Sequence, residues 1–172
     1  MKIGIVSAEP SGDLLGSKLL SVLEQKFDDL SLVGVGSGPL SNYGLSGDRA
    51  LLEIMGLVDP ILNYKKITNF RKKLIKDFIK EEIDVFIGID APDFNFEVHK
   101  QMQKKGIKTI HVVCPSVWAW RPGRIKHFKH VDYMLCLFPF ELEYCANVRK
   151  QAFCIGHPLI DEKEAYENEF KE

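Results

Sequence analysis

The sequence has no apolar run long enough to span a bilayer, no marked excess of one charge and no closely paired cysteines. Its 23 basic and 24 acidic residues give a formal net charge of -1, which provides no overall electrostatic attraction for nucleic acid. The cysteines form no C-x-x-C motif and no histidine–cysteine group with zinc spacing. We therefore expect no metal site and no nucleic-acid partner, with buried free thiols at Cys114, Cys136, Cys145 and Cys154.

Two further patterns are missing. The apolar run at residues 1–6 is too short for a signal peptide, so we expect a cytoplasmic protein. Neither G-x-G-x-x-G nor a P-loop is present, which argues against a different nucleotide-dependent α/β enzyme. The chain has 172 residues, of which 45% are hydrophobic and 27% charged, as in one packed domain. We place that domain at residues 1–160 and treat the charged residues 161–172 as a tail or the start of a linker.

Short apolar runs alternate with amphipathic segments along the whole chain. The runs predict strands at 2–6, 32–36, 85–89, 109–113, 133–138 and 152–155. Helical patterns fall between them, the first marked by an apolar stripe of Leu15, Leu19, Leu23 and Phe27, and the others at 67–81, 94–105, 122–130 and 139–149. This alternation predicts an α/β fold with a doubly wound, mostly parallel, Rossmann-like sheet.

In such a sheet, ligands bind beyond the carboxyl ends of the strands. Glu9, Ser11, Gly12 and Asp13 follow the first predicted strand, and a helix that starts there exposes N–H groups to an anionic substrate. The alternative is an ordinary helix start with Ser11 as the N-cap. The glycines at 34–39 either allow close approach to a ligand or form a tight turn.

Two carboxylates, Asp90 and Asp93, follow the apolar run at 85–89. Partial burial at the edge of this strand would raise the pKa of Asp90, and such a carboxylate suits a general base that deprotonates an attacking hydroxyl. The alternative is that Asp90 forms a turn before Pro92. For Asp93 we favour a structural role as a helix cap.

Both tryptophans lie in one segment with Ser116, Trp118, Trp120 and Arg121. Flat aromatic faces suit sugar rings or acyl chains, and the arginine fork suits phosphate. Burial of both rings in the core is the alternative, but flanking prolines favour a loop. His157, between a glycine and a proline, either orients a phosphate or donates a proton, or is a structural turn residue.

The ordered set of motifs at residues 6–13, 55–58, 87–95, 115–123, 139–141 and 156–158 resembles the lipid-A-disaccharide synthase family, glycosyltransferases of the GT-B type with two Rossmann-like domains. The resemblance implies transfer of diacylglucosamine from UDP-2,3-diacylglucosamine to 2,3-diacylglucosamine 1-phosphate. UDP is released, and the product is the lipid A disaccharide 1-phosphate. The resemblance makes Asp90 the general base and implies no metal and no cofactor. Ala8, where the family usually has glycine, and Ser37, which interrupts a usual Gly-Pro, depart from its pattern.

The family acts as a peripheral protein at the inner face of the cytoplasmic membrane. The resemblance therefore suggests that Met55, Leu57 and Val58 face the inner-membrane surface, with Lys65 and Lys66 nearby for anionic lipid. The alternative for these apolar residues is ordinary domain core.

The family's UDP-binding half is expected to begin near the end of this chain, and its donor motifs are absent here. We thus expect a truncated or split half that is inactive alone, with a separate C-terminal half as partner or with a tendency to self-associate. The alternative is a non-catalytic module from a broken gene that binds an acyl-sugar phosphate or a membrane surface.

Overall fold

The computed structural model describes residues 1–45 and 64–157. Its centre is a six-stranded sheet in the order β2-β1-β3-β4-β5-β6, and all neighbouring strands are parallel. The strands are β1 (Lys2–Ser7), β2 (Ser31–Val35), β3 (Val85–Ile89), β4 (Lys108–Val112), β5 (Tyr133–Cys136) and β6 (Gln151–Cys154). The predicted doubly wound parallel sheet is confirmed.

Three α-helices and three 3₁₀ helices are described between the strands. The α-helices are α1 (Pro10–Glu24), α2 (Tyr64–Lys80) and α3 (Pro92–Lys104), and the 3₁₀ helices span Gly38–Tyr43, Pro122–His130 and Pro139–Tyr144. The stripe predicted for the first helix is wrong at Phe27, because α1 ends at Glu24 and the Phe27 side chain is 42% exposed.

Apolar side chains cover both faces of the sheet. On one face, Phe78 of α2 and Val98 of α3 pack with Phe86 of β3 in one buried cluster. On the other face, Leu20 of α1 packs with Ile5 of β1 in a second cluster. Burying one such side chain stabilises the fold by about 1.5–3 kcal/mol, so both layers of helices are held firmly to the sheet. The near-continuous apolar strands of the sequence follow from this burial on both faces.

The strand order reverses next to β1, because β2 lies on one side of it and β3 on the other. At such a switch point the loops after the two strands diverge and leave a crevice at the carboxyl edge of the sheet. Glu9 follows β1 and Asp90 follows β3, so the fold places both carboxyl groups at this crevice.

Several sequence-based predictions fall on residues outside those described. They are the membrane-facing assignment of Met55, Leu57 and Val58, the domain boundary at 160 and the tail at 161–172. None of the helices in the two described ranges has both the length and the apolar character needed to cross a membrane.

Candidate functional site

Asp90 adopts a left-handed backbone conformation with φ of 48°, and Ala91 follows it with φ of 41°. Non-glycine residues seldom adopt this conformation, and it persists where the surroundings fix it. Here the Asp90 N–H donates to the Val112 carbonyl at 2.9 Å. The Asp90 carbonyl accepts a 2.8 Å hydrogen bond from the Asn95 side chain. The backbone of Asp90 is therefore held from both sides at the end of β3.

The electrostatic surroundings of Asp90 suit proton transfer. Burial raises the pKa of Asp90, while a backbone hydrogen bond from Ala91 and the positive charge of Arg124 oppose that rise. Partial burial also raises the pKa of Glu9, and repulsion from Asp90 raises it further. A partly desolvated carboxylate with a like charge nearby has an increased affinity for a proton, as a general base requires.

A cleft of about 320 Å³ opens beside Asp90. Four residues singled out in the sequence line it together, namely Ser11, Gly12, Asp90 and His157, with Leu14, Leu15, Val113 and Leu137 completing the lining. The His157 ring stacks against Phe138 with centroids 5.9 Å apart. Val113 was not anticipated from sequence; its φ of 76° is uncommon for a β-branched residue and marks a second constrained position at this cleft.

The start of α1 differs from the cap predicted for it. The helix begins at Pro10 with Glu9 as its N-cap, so the alternative of Ser11 as N-cap is wrong. Gly12 allows the close approach of this helix to β1, since a Cβ atom there would lie 2.7 Å from the Ser7 hydroxyl oxygen. Asp13 is 1% exposed and is not among the residues that line this cleft.

A second cleft, of about 330 Å³, includes Glu9, Arg71, Asp93 and Arg124 in its lining. The prediction of Asp93 as a helix cap is wrong: Ala91 is the N-cap of α3, and no side chain bonds there. The Asp93 carboxylate instead accepts hydrogen bonds from both Nε and Nη2 of Arg124, at 3.1 and 2.7 Å. It also accepts a 2.7 Å bond from Arg121, so Asp93 orients two guanidinium groups.

The tryptophan segment is an exposed loop after β4. Trp118 is 37% exposed and Trp120 59%, so the alternative of burial in the core is wrong. Trp118 meets Phe140 edge to face at 4.8 Å, and the Arg121 guanidinium lies 5.4 Å from the Trp120 ring. The Ser116 carbonyl accepts the N–H of Trp120 at 2.8 Å, which closes the loop. None of the loop residues 116–121 is in the lining of either cleft.

Sequence reasoning missed the role of two groups near the site. Buried Glu141 accepts the backbone N–H groups of Leu137 and Phe138, at 2.8 and 3.0 Å. It thereby fixes the chain next to the cleft, and its Pro-Phe-Glu context was the only sign of this role in the sequence.

The other group consists of cysteines. Cys114, Cys136 and Cys145 are buried as free thiols, whereas the expectation of burial is wrong for Cys154, which is exposed.

The chain matches the family model described as Lipid-A-disaccharide synthetase over residues 3–172. A curated "Lipid-A-disaccharide synthase" from Idiomarina loihiensis is 43% identical over 164 residues, covering 94% of this chain and 43% of that protein. One from Burkholderia mallei is 42% identical over 166 residues with the same coverage, 94% and 43%. The chain thus spans less than half the length of these relatives.

Solved structures share the fold at low sequence identity. The Staphylococcus aureus MnaA–UDP co-structure superposes with a TM-score of 0.62 at 14% identity, covering 95% of this chain and 46% of that one. UDP-GlcNAc 2-epimerase from Neisseria meningitidis, bound to UDP-GlcNAc, gives a TM-score of 0.61 at 14% identity and covers 99% and 50%. Both likenesses extend over nearly the whole chain and support a Rossmann-like α/β fold.

Proposed function

Because this chain belongs to the lipid-A-disaccharide synthetase family, we propose that it forms the acceptor-side half of a GT-B glycosyltransferase. The reaction joins diacylglucosamine from UDP-2,3-diacylglucosamine to 2,3-diacylglucosamine 1-phosphate and releases UDP. The observation that carries this proposal is the position of Asp90. Its backbone is fixed at the switch point of the sheet, its side chain lines a cleft, and its pKa is raised by burial.

In this proposal Asp90 is the general base. Its carboxylate takes the proton of the acceptor hydroxyl as that oxygen attacks the anomeric carbon of the donor sugar. A bond forms between the acceptor oxygen and the anomeric carbon, the bond from that carbon to the UDP oxygen breaks, and UDP leaves with the electron pair. Attack from the face opposite to UDP inverts the anomeric centre. Holding the base in one geometry lowers the entropic part of the barrier.

The surroundings of Asp90 suit an acylated sugar phosphate. Ser11 and Gly12 lie in the first turn of the 15-residue helix α1, whose N–H groups favour an anion such as the acceptor phosphate. His157 lines the same cleft and is the second candidate for that phosphate. The Asp13 backbone N–H donates to the Glu9 carbonyl at 2.9 Å, which closes the first turn of this helix. Ser116, Trp118, Trp120 and Arg121 supply an exposed aromatic and cationic surface for the sugar ring or the acyl chains.

The donor and the membrane bring in further partners. The solved neighbours of similar fold carry UDP or UDP-GlcNAc, and this chain matches about half of each. We propose that a C-terminal half, separate or continuous, holds the UDP-sugar across the cleft.

Exposed lysines of α2 support docking at an anionic inner-membrane surface on the cytoplasmic side. They are Lys65, Lys66, Lys72 and Lys73. Met55, Leu57 and Val58 are our candidates for the apolar contact.

The test is a disaccharide-forming assay in detergent with both acylated substrates. The purified chain is assayed alone and after addition of the C-terminal half of the Idiomarina loihiensis relative. Product in the mixture, at a rate that increases with the concentration of this chain, supports the acceptor-side role. Folded chain that gives no product in either arm contradicts it and favours a non-catalytic module that binds an acyl-sugar phosphate or a membrane surface.

A further inference from the structure

Three cysteine thiols meet inside the fold, outside the linings of the two clefts. The Sγ atoms of Cys136 and Cys145 are 3.7 Å apart, and those of Cys114 and Cys145 are 3.9 Å apart. All three sulfur atoms lie within 4.8 Å of one another. The residues come from separate segments: Cys114 lies in the loop after β4, Cys136 ends β5, and Cys145 follows the 3₁₀ helix Pro139–Tyr144. Their spacing in the sequence therefore gave no indication of the cluster.

Two of the three sulfur–sulfur distances match a metal coordination sphere. With zinc–sulfur bonds of about 2.3 Å and tetrahedral angles, two ligand sulfur atoms are about 3.8 Å apart. The two sulfur–sulfur distances at Cys145 lie on either side of this value. A disulfide needs a separation of about 2.05 Å, so either pair would have to move much closer to form one. The cluster as it stands is closer to a ligand set than to an oxidised cysteine pair.

The cluster lies in an apolar part of the core with Phe128 and Met134. A single buried cysteine packs as a small hydrophobic residue and needs no further explanation. Three thiols that converge leave the sulfur atoms facing one another. Metal binding would replace the S–H groups by thiolates, the form of cysteine that binds metal.

We propose that Cys114, Cys136 and Cys145 form a three-thiolate binding site for a soft metal ion, with Zn²⁺ as the best-matched occupant. Thiolate ligands select soft or borderline ions such as Zn²⁺ and Cu⁺. Binding of a divalent ion by three thiols releases three protons and leaves a net charge of -1, whereas Cu⁺ leaves -2. The smaller charge costs less in an apolar setting, which favours the divalent ion. The site is a structural one, separate from the proposed transfer reaction.

The position of the site indicates what the metal does. Cys114 directly follows Val113, and Cys136 directly precedes Leu137; both neighbours line the cleft beside Asp90. Cys145 follows the segment that carries Glu141 and Phe140, the ring that Trp118 contacts. An ion on the three sulfur atoms ties these segments together. It would stabilise the side of the cleft formed after β4 and β5.

The first experiment measures metal binding by the purified chain, reduced and stripped with a chelator. Zn²⁺, Cd²⁺ as a spectroscopic substitute, and Cu⁺ are titrated separately, with sulfur-to-metal charge transfer as the signal for Cd²⁺ and Cu⁺. We expect one equivalent of divalent ion per chain. Cys136→Ser should weaken binding at least about 100-fold, because it removes one of three ligands. Cys154→Ser is the matched control, since Cys154 is exposed and outside the cluster, and it should bind as the original chain does.

A second measurement covers the case in which Cys136→Ser does not fold. The unsubstituted chain is alkylated in moderate urea with and without Zn²⁺, and modification of each cysteine is followed by mass spectrometry. Zn²⁺ should slow the reaction at Cys114, Cys136 and Cys145 and leave Cys154 unchanged. The proposal is overturned by less than one bound equivalent of every ion, by equal loss in Cys154→Ser, or by binding without protection of the three thiols. A cluster that oxidises to a disulfide under reductant and binds no ion also contradicts it.

Discussion

The Ser37 hydroxyl donates a 2.6 Å hydrogen bond to Oδ2 of Asp13, whose side chain is 1% exposed. This bond joins the start of α1 to the loop after β2. The other oxygen, Oδ1, has no hydrogen-bond partner among the described residues. Ser37 departs from the family pattern, and its hydroxyl is the hydrogen-bond donor to the buried Asp13 carboxylate.

Ser37→Ala should lower the free energy of unfolding by about 1–3 kcal/mol, because it leaves Asp13 buried without its hydrogen-bond donor. Urea unfolding followed by circular dichroism gives this difference. The matched control is Ser21→Ala: the Ser21 hydroxyl bonds the Lys18 carbonyl within α1, and alanine is favourable in a helix. Equal effects of the two substitutions would show that the Ser37–Asp13 bond contributes little.

Two fully buried histidines make stability depend on pH. Nε2 of His99 lies 3.0 Å from Nδ1 of His111. Burial, followed by the positive charges of His111 and His130, lowers the pKa of His99, and burial lowers the pKa of His111 to about 3. Because the folded state disfavours the protonated rings, the unfolded chain binds more protons between the two pKa values. The contribution of the two neutral rings to the free energy of unfolding is therefore fully present above about pH 6.5, and it is lost as the pH falls below that value.

The expected loss below pH 6.5 is at most about 1.4 kcal/mol per pH unit for each of the two histidines. Urea unfolding between pH 8 and pH 5 measures it. NMR of the two imidazole rings provides the direct control, since both should remain neutral in the folded chain at pH 5. Protonation of either ring near pH 6.5 without loss of stability would contradict this account.

The repulsion between Glu9 and Asp90 can be measured without any substrate. Burial is the larger cause of the raised pKa of Glu9, and the Asp90 charge is the second. Asp90→Asn should therefore lower the pKa of Glu9 but leave it above the ordinary value. NMR titration of the Glu9 carboxyl gives the pKa in both proteins. Asp84→Asn, at the opposite end of β3, should leave it unchanged, and an unchanged value in Asp90→Asn would show that the two carboxyls do not interact.

The sequence predicted the fold well because the sheet is buried on both faces. The apolar run at 85–89 matches β3 from end to end, because the acidic residues on either side mark where the strand begins and ends. Local pattern failed where a side chain bonds a distant partner. Asp93 follows Pro92 and looks like a helix cap, but two arginines about 30 positions away hold it instead.

Part of the geometry of the candidate site was predictable in the same way, whereas Asp13 and the loop residues Ser116, Trp118, Trp120 and Arg121 lie outside the linings of both clefts. The order of strands brings Ser11, Gly12, Asp90 and His157 to one cleft, so residues at strand ends could be chosen from sequence. The Ser37–Asp13 bond and the meeting of Cys114 with Cys145 depend on how loops pack. No periodicity in the sequence encodes such contacts.

The most direct test of the account is the effect of Asp90→Asn on disaccharide formation in the mixture with the C-terminal half. Asp84→Asn is the control, because Asp84 accepts the Lys2 backbone N–H at the opposite edge of the sheet. We predict that Asp90→Asn lowers kcat at least about 100-fold, the scale of losing a general base, while Asp84→Asn keeps the original rate. A kcat for Asp90→Asn close to that of the unsubstituted chain would contradict the assignment of Asp90 as the base.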